Sequence, residues 1–255
     1  MTSHASRPAS TLHSSPALVD ATVVIVGGSS GIGLGVARAS LARGAKVVLV
    51  GRTAERLARA AAWLEAGERV SVHAADATDE RSVQHLFGVI GPFDHLVVTA
   101  VVGAYAPIRQ LSLDDARRLI ESKLVAALAL AKHGAAHVRP GGSMTFTSGI
   151  AKDRPMPGGA VVAAVNGGLG ALAHALALEL APTRVNVVSP GWVDTPVWDA
   201  IAGEGKIAAW DALAKKLPVG RIGTPHDLAL AYLAAMENGF MTGTTLHVDG
   251  GHALV

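Results

Sequence analysis

The chain has 255 residues, half of them apolar, enough to bury the core of one large domain. Its 22 Lys and Arg against 20 Asp and Glu are scattered singly, so no basic run tracks a phosphate backbone and nucleic acid is not an expected partner. The absence of cysteine removes disulfides, thiolate nucleophiles and Cys-based metal sites, and a reducing, cytoplasmic setting is expected.

Residues 1–20 are rich in Ser, Ala, Pro and Thr without the apolar stretch of a signal peptide, and are expected to form a flexible tail ahead of a single domain over 21–255. Ala21 to Val26 then reads as a β-branched strand meeting glycines, and Gly33 to Arg43 as a helix stopped by Gly44. A strand over Lys46 to Val50, a helix over Glu55 to Glu65 and a strand over Arg69 to Ala74 complete a βαβαβ alternation. Such an alternation predicts an α/β fold: a Rossmann-type, doubly wound parallel sheet.

The alternation continues with a helix over Glu80 to Val89, a strand over Asp94 to Ala100, a long helix over Leu113 to His137 and a strand over Ser143 to Thr147. Gly158 to Leu180 is apolar almost throughout, but Asn166, His174 and Glu179 interrupt it. A buried or subunit-interface helix is expected there rather than a membrane span, and with it a homodimer or homotetramer. After a strand at Arg184 to Val188, the stretch Ser189 to Leu217 reads as irregular, followed by a helix over Pro225 to Glu237 and a strand over Thr245 to Val248.

The turn Gly27-Gly28-Ser29-Ser30-Gly31-Ile32-Gly33 follows the first strand and opens a helix. Glycines there let backbone approach a pyrophosphate, and the helix start offers free N–H groups and a positive dipole end. The second strand ends Val50-Gly51-Arg52 with no acid to read a ribose 2′-hydroxyl. Arg52 can instead meet a 2′-phosphate, with Ser30 and Thr53 adding hydroxyls, so NADP(H) is the expected cofactor. An ordinary exposed arginine at a strand end is the competing reading.

Several segments together resemble the short-chain dehydrogenases/reductases from Val23 to Gly251: GGSSGIG at 27–33, Asp76 in DATDE, DHLVVTA at 94–100, FTSG at 146–149, RVNVVSPGWVDTP at 184–196, GRIGTP at 220–225 and GTTLHVDGG at 243–251. The resemblance implies that Asp76 and the backbone of Ala77 lie at the adenine and that Ala100, beside Thr99, flanks the adenosine ribose. It also implies that Val193 and Thr195, after Pro190 and Gly191, hold the nicotinamide carboxamide.

The resembled chemistry uses a tyrosine proton donor, a lysine one helical turn later, a serine and an asparagine. Here the resemblance places Ser148 at the serine, Val162 at the tyrosine, Asn166 at the lysine and Lys123 at the asparagine, so lysine and asparagine are exchanged between two helices. The segment Val98-Thr99-Ala100-Val101 likewise replaces the family's Asn-Asn-Ala-Gly. Valine has no proton to give, and three replacements stay open: Tyr105 in the loop after the fourth strand, Lys123 with a pKa lowered by desolvation, and Ser148 relaying through water.

His133 and His137 are one turn apart on a helix, a metal-binding spacing, but no third ligand accompanies them and no metal is expected. Trp192, Trp198 and Trp210 lie in or beside the stretch that covers substrate in the resembled family, pointing to an apolar or aromatic small-molecule substrate, with core packing as the alternative. The expected function is an NADPH-dependent reductase of a carbonyl or imine with a non-standard proton donor. The alternative is a dinucleotide-binding protein of this fold without redox turnover, serving as scaffold, regulator or non-redox pocket.

Overall fold

The computed structural model describes residues 18–100, 105–202 and 205–255; residues 1–17 and Val101 lie outside it. Seven parallel strands form one sheet in the order β3-β2-β1-β4-β5-β6-β7. They are β1 Thr22–Val26, β2 Lys46–Gly51, β3 Val70–Ala74, β4 Phe93–Val98, β5 Val138–Thr147, β6 Arg184–Pro190 and β7 Thr245–Val248. The helices are α1 Gly31–Ala42, α2 Ala54–Leu64, α3 Glu80–Ile90, α4 Leu113–Ile120, α5 Ala126–Gly134, α6 Ala160–Glu179, α7 Val197–Ala202, α8 Lys206–Ala214 and α9 Pro225–Glu237.

The strands read as unbroken apolar runs because both faces of the sheet are covered. Val24 and Val26 of β1 join a core with Phe87 of α3, Leu130 of α5 and Leu169 of α6. Their neighbours Val23 and Ile25 point the other way, into a second core with Val36 of α1 and Tyr232 of α9. Chain order reverses between β1 and β4, which pair in register from Val23↔His95 to Val26↔Val98. At such a switch point the loops leaving the strand ends diverge and a crevice opens above them.

Three expectations are corrected. Leu18 is fully buried in the second core, and the Asp20 N–H donates to the Gly44 carbonyl at 2.9 Å, so the ordered chain begins before residue 21. The helix expected over Leu113 to His137 is not continuous: a π turn over Glu121–Val125 separates α4 from α5, and a 3-10 turn over Ala135–His137 ends it. The stretch Ser189 to Leu217 is not irregular throughout, because it contains the end of β6 and the helices α7 and α8.

Helix α6 meets the length and hydropathy of a membrane span, and among the described residues no other helix does. Val162, Val165, Asn166, Leu169, Gly170, Ala173 and Leu176 form its buried side, and it packs on β6, β5 and α4. Its apolar character therefore has a source in core packing.

Candidate active site

The crevice above β1 and β4 is a cleft lined by the glycine turn, Arg52, Thr53, Asp76, Ala77, Thr99, Ala100 and Thr195. Its floor is backbone. A Cβ on Gly27, whose φ is +88°, would sit 2.6 Å from the Ala100 nitrogen, and one on Gly33 would sit 2.3 Å from the Gly27 carbonyl oxygen. Both positions require glycine on steric grounds. The Thr99 hydroxyl donates to the Val26 carbonyl at 3.1 Å, tying the end of β4 to the start of this turn. At the first turn of α1, Ser30 is the N-cap and makes no side-chain cap bond, which leaves helix N–H groups for an anion.

Arg52 stands exposed at the end of β2, and Arg56 of α2 lines the same cleft, a cation that the sequence pattern did not single out. Across from them Asp76 accepts from the Thr78 N–H at 3.0 Å and the Thr78 hydroxyl at 2.8 Å. The Thr78 backbone donor holds the Asp76 carboxyl below its usual range, and the Arg52 charge adds a smaller push in the same direction. The cleft thus carries cations where β2 ends and a fixed carboxylate above β3.

A second cavity of about 540 Å³ adjoins the cleft, and the two share Ile32, Thr99, Ala100, Thr195 and Val197. Pro190, Gly191 and Val193 line this cavity rather than the cleft. So do Tyr105, Lys123 of the π turn, Ser148, and Val162 and Asn166 of α6.

Lys123 sits in the π turn and is 9% exposed. A π turn takes one more residue than an α turn and is often found at functional positions. Around it the face is apolar only in part, since Leu119 and Ala127 are buried but Ile120 and Leu128 are exposed. The Lys123 ammonium donates to Asn166 Oδ1 at 2.5 Å and to the Ser148 carbonyl at 3.0 Å. No carboxylate pairs with it among the described residues. Burial without a counter-charge pushes its pKa down to about 8.

The Ser148 hydroxyl donates to the Asn166 backbone carbonyl at 2.8 Å, and Asn166 Nδ2 donates to the Gly149 carbonyl at 3.3 Å. Ser148 and Asn166 therefore lock the chain after β5 against α6 and leave the Asn166 oxygen turned to Lys123. Val162, one helical turn before Asn166, packs with Leu119, Ala151 and Val165 as apolar wall. The Tyr105 phenol is 40% exposed at the cavity, and desolvation raises its pKa, which makes it a weaker acid.

Part of the remaining wall is aromatic, beside Arg154, Pro155 and Met156. Trp192, after β6, and Trp198, on α7, have ring centroids 4.4 Å apart, and His252 meets Trp192 edge-on. His252 was not legible as a site residue, because only the return of β7 beside β6 brings it here. Trp210 does not join the other tryptophans at the cavity; it packs under the Lys206 ammonium, 4.2 Å from its ring centroid. His133 bonds Glu80 at 2.9 Å and His137 stacks on Phe87, so the two histidines have different partners.

Comparison with known proteins adds to this geometry. Residues 26–253 match the family model described as enoyl-(acyl carrier protein) reductase. The short-chain dehydrogenase/reductase ucsE of Acremonium sp is 33% identical over 90% of this chain and 94% of its own length. Among solved structures, a small-chain dehydrogenase in complex with NADPH is 34% identical with a TM-score of 0.78, covering 92% of this chain and all of that one (100%). The MalC reductase/Diels-Alderase of Malbranchea aurantiaca is 32% identical with a TM-score of 0.87, over 94% of this chain and 99% of that one. With its seven-stranded parallel sheet, glycine cradle and adjoining cavity, this chain belongs to the short-chain dehydrogenase/reductase family of oxidoreductases.

Proposed function

We propose that the protein is an NADP(H)-dependent reductase of a carbonyl or imine, with Lys123 as the acid of the substrate cavity. The observation that carries this reading is the Lys123 ammonium, buried beside Asn166 Oδ1 and the Ser148 carbonyl in a cavity that adjoins the dinucleotide cleft. The glycine cradle, where added Cβ atoms would collide with backbone, fits a pyrophosphate, and Arg52 with Arg56 fits a 2′-phosphate. The NADPH complex of the small-chain dehydrogenase supports the same choice of cofactor. A reduced nicotinamide bound there supplies a hydride to the substrate carbon.

The chain's own residues then answer the charge that develops on the substrate. Ketone reduction leaves an alkoxide, which Lys123 protonates; its two acceptors fix the amine, and a pKa near 8 keeps most of it protonated at neutral pH. Val162, aligned with the family's tyrosine, has nothing to give, while Ser148 spends its proton on the Asn166 carbonyl. An iminium substrate forms no alkoxide, so it depends less on this proton. Imines are accordingly the favoured class, and the wall of Trp192 and Trp198 suits an apolar or aromatic one.

The test is NADPH consumption, followed by absorbance, with matched ketones, aldehydes, cyclic imines and quinones. Turnover of cyclic imines above ketones is the expected result; no consumption with any of them overturns the reductase reading. A second reading, a shaped pocket for a non-redox rearrangement, draws on the MalC relative, whose description names it both reductase and Diels-Alderase. The exposed outer side of α6, with Ala164, Ala171 and Leu178, supports a homodimer or homotetramer, which light scattering checks.

A further inference from the structure

The segment after β5 runs along the wall of the substrate cavity and ends in a cation. Ile150 and Ala151 are buried in a 3-10 turn over Ile150–Lys152, and the Ile150 carbonyl then accepts from the Asp153 N–H at 2.9 Å and the Arg154 N–H at 2.8 Å. Pro155 fixes the next φ and stiffens the exit from this turn. Ile150, Ala151, Arg154 and Met156 all line the cavity, and Arg154 is exposed there to a ligand. No carboxylate pairs with its guanidinium among the described residues.

Two carboxylates that stand close by have other partners. Asp153 accepts from Lys152 Nζ at 2.7 Å through one oxygen, and His247 Nδ1 lies 3.5 Å from the other. Asp249 accepts from the Gly251 N–H at 2.9 Å and the Ala253 N–H at 3.0 Å. Desolvation is the largest influence lowering the His252 pKa; the Asp249 carboxylate opposes it and the Arg154 charge adds to it, which sets that charge near the imidazole. His252 lines the cavity edge-on to Trp192, so Arg154 belongs to the tryptophan side of the lining. Lys123 is a second cation in the same lining, and no Asp or Glu of the described residues joins them. A cavity with two cations and no acid attracts an anion, and a guanidinium without a protein carboxylate can take a ligand's carboxylate through two parallel hydrogen bonds.

We infer that the substrate is an aromatic carbonyl or imine compound carrying a carboxylate, and that Arg154 is the specificity-determining residue that pairs with this carboxylate while Trp192 and Trp198 take the ring. The inference rests on the reductase reading for the reducible bond, but not for the carboxylate contact. The probes are 4-acetylbenzoate and 4-acetylbenzamide, which share size, ring and ketone and differ in charge. Calorimetric titration into the NADP+-saturated protein at neutral pH reads binding without turnover, and NADPH consumption is followed in parallel.

Wild type is expected to bind the benzoate about tenfold more tightly than the benzamide, the worth of one charge-assisted hydrogen bond. Arg154→Met keeps most of the length without the charge and should bring that ratio to about one, while Arg154→Lys, which keeps the charge but not the fork, should restore part of it. Retained NADP+ binding shows that each variant is folded. A ratio of one in wild type, or an undiminished ratio in Arg154→Met, overturns the inference; in the second case a ratio lost in Lys123→Met instead gives the carboxylate to that lysine. If the ratio behaves as expected while neither these probes nor the panel of ketones, aldehydes, cyclic imines and quinones consumes NADPH, the carboxylate contact stands and the reductase reading falls. If NADPH is consumed without a carboxylate preference, the reverse holds.

Discussion

The two halves of the site are made of different materials. The floor of the dinucleotide cleft is backbone, with Gly27 and Gly33 fixed by close approach to Ala100 and to each other. The substrate cavity is bounded by side chains that arrive from the π turn, α6, α7 and the last turn of the chain. Backbone geometry tolerates almost no substitution, whereas a side-chain cavity can exchange its chemistry while keeping its shape. Lys123 and Asn166, from neighbouring helical segments, meet in that cavity at 2.5 Å.

The sharpest way to break this contrast is at the cleft. Gly33→Val should abolish measurable NADPH binding by calorimetry, because its Cβ would meet the Gly27 oxygen at 2.3 Å and the Thr99 hydroxyl at 2.6 Å. Retained binding at wild-type strength would show that the cradle is not where the pyrophosphate rests. Next in size, Arg52→Ala should cost NADPH about tenfold in affinity and leave NADH nearly unchanged, since one charge-assisted contact to the 2′-phosphate is lost. Equal NADPH and NADH affinities in the wild type would remove the role assigned to Arg52.

The smallest effect is expected at Val162, on the apolar wall of the cavity. Val162→Tyr should leave ketone reduction within about twofold of wild type, because a phenol in this apolar wall has its anion disfavoured and the Lys123 ammonium already has two acceptors. Adding Asn166→Lys should raise the rate further. A Val162→Tyr variant as active as the double variant would mean that Lys123 already serves the introduced phenol.

The same contrast explains what the sequence disclosed. Strands β1, β2, β4 and β6 were legible because residues such as Val23 to Val26 are buried on both faces and must be apolar throughout. The glycine turn was legible because its spacing is a steric requirement. Helix α8 was missed because its apolar residues, Ile207, Ala208, Trp210 and Leu213, have no phase, and none of its residues is buried. The π turn at Lys123 had no signal either: Glu121-Ser122-Lys123-Leu124-Val125 fits an ordinary helix, and only packing against α6 distinguishes it. At the amino end, Leu18 reads as tail because one leucine among Ser, Ala and Pro carries no periodicity, yet it fills a place beside Ala45 and Val47. His252 stayed hidden for a topological reason, since its neighbours at the cavity are distant in sequence.

Under the proposed function, ketone reduction depends on Lys123 as the acid. The most direct measurement is the pH dependence of kcat/KM for one ketone and one preformed iminium, in wild type and in Lys123→Met, with thermal melts confirming that both proteins are folded. Because protonation of the alkoxide needs the ammonium form, ketone reduction by wild type should fall as pH rises through about 8, the value to which burial lowers this lysine. Lys123→Met should lose about a hundredfold in ketone reduction together with that pH dependence, while iminium reduction changes far less. Identical pH profiles and rates in the two proteins would contradict the assignment of Lys123 and leave Tyr105 or a water at Ser148 as the proton source.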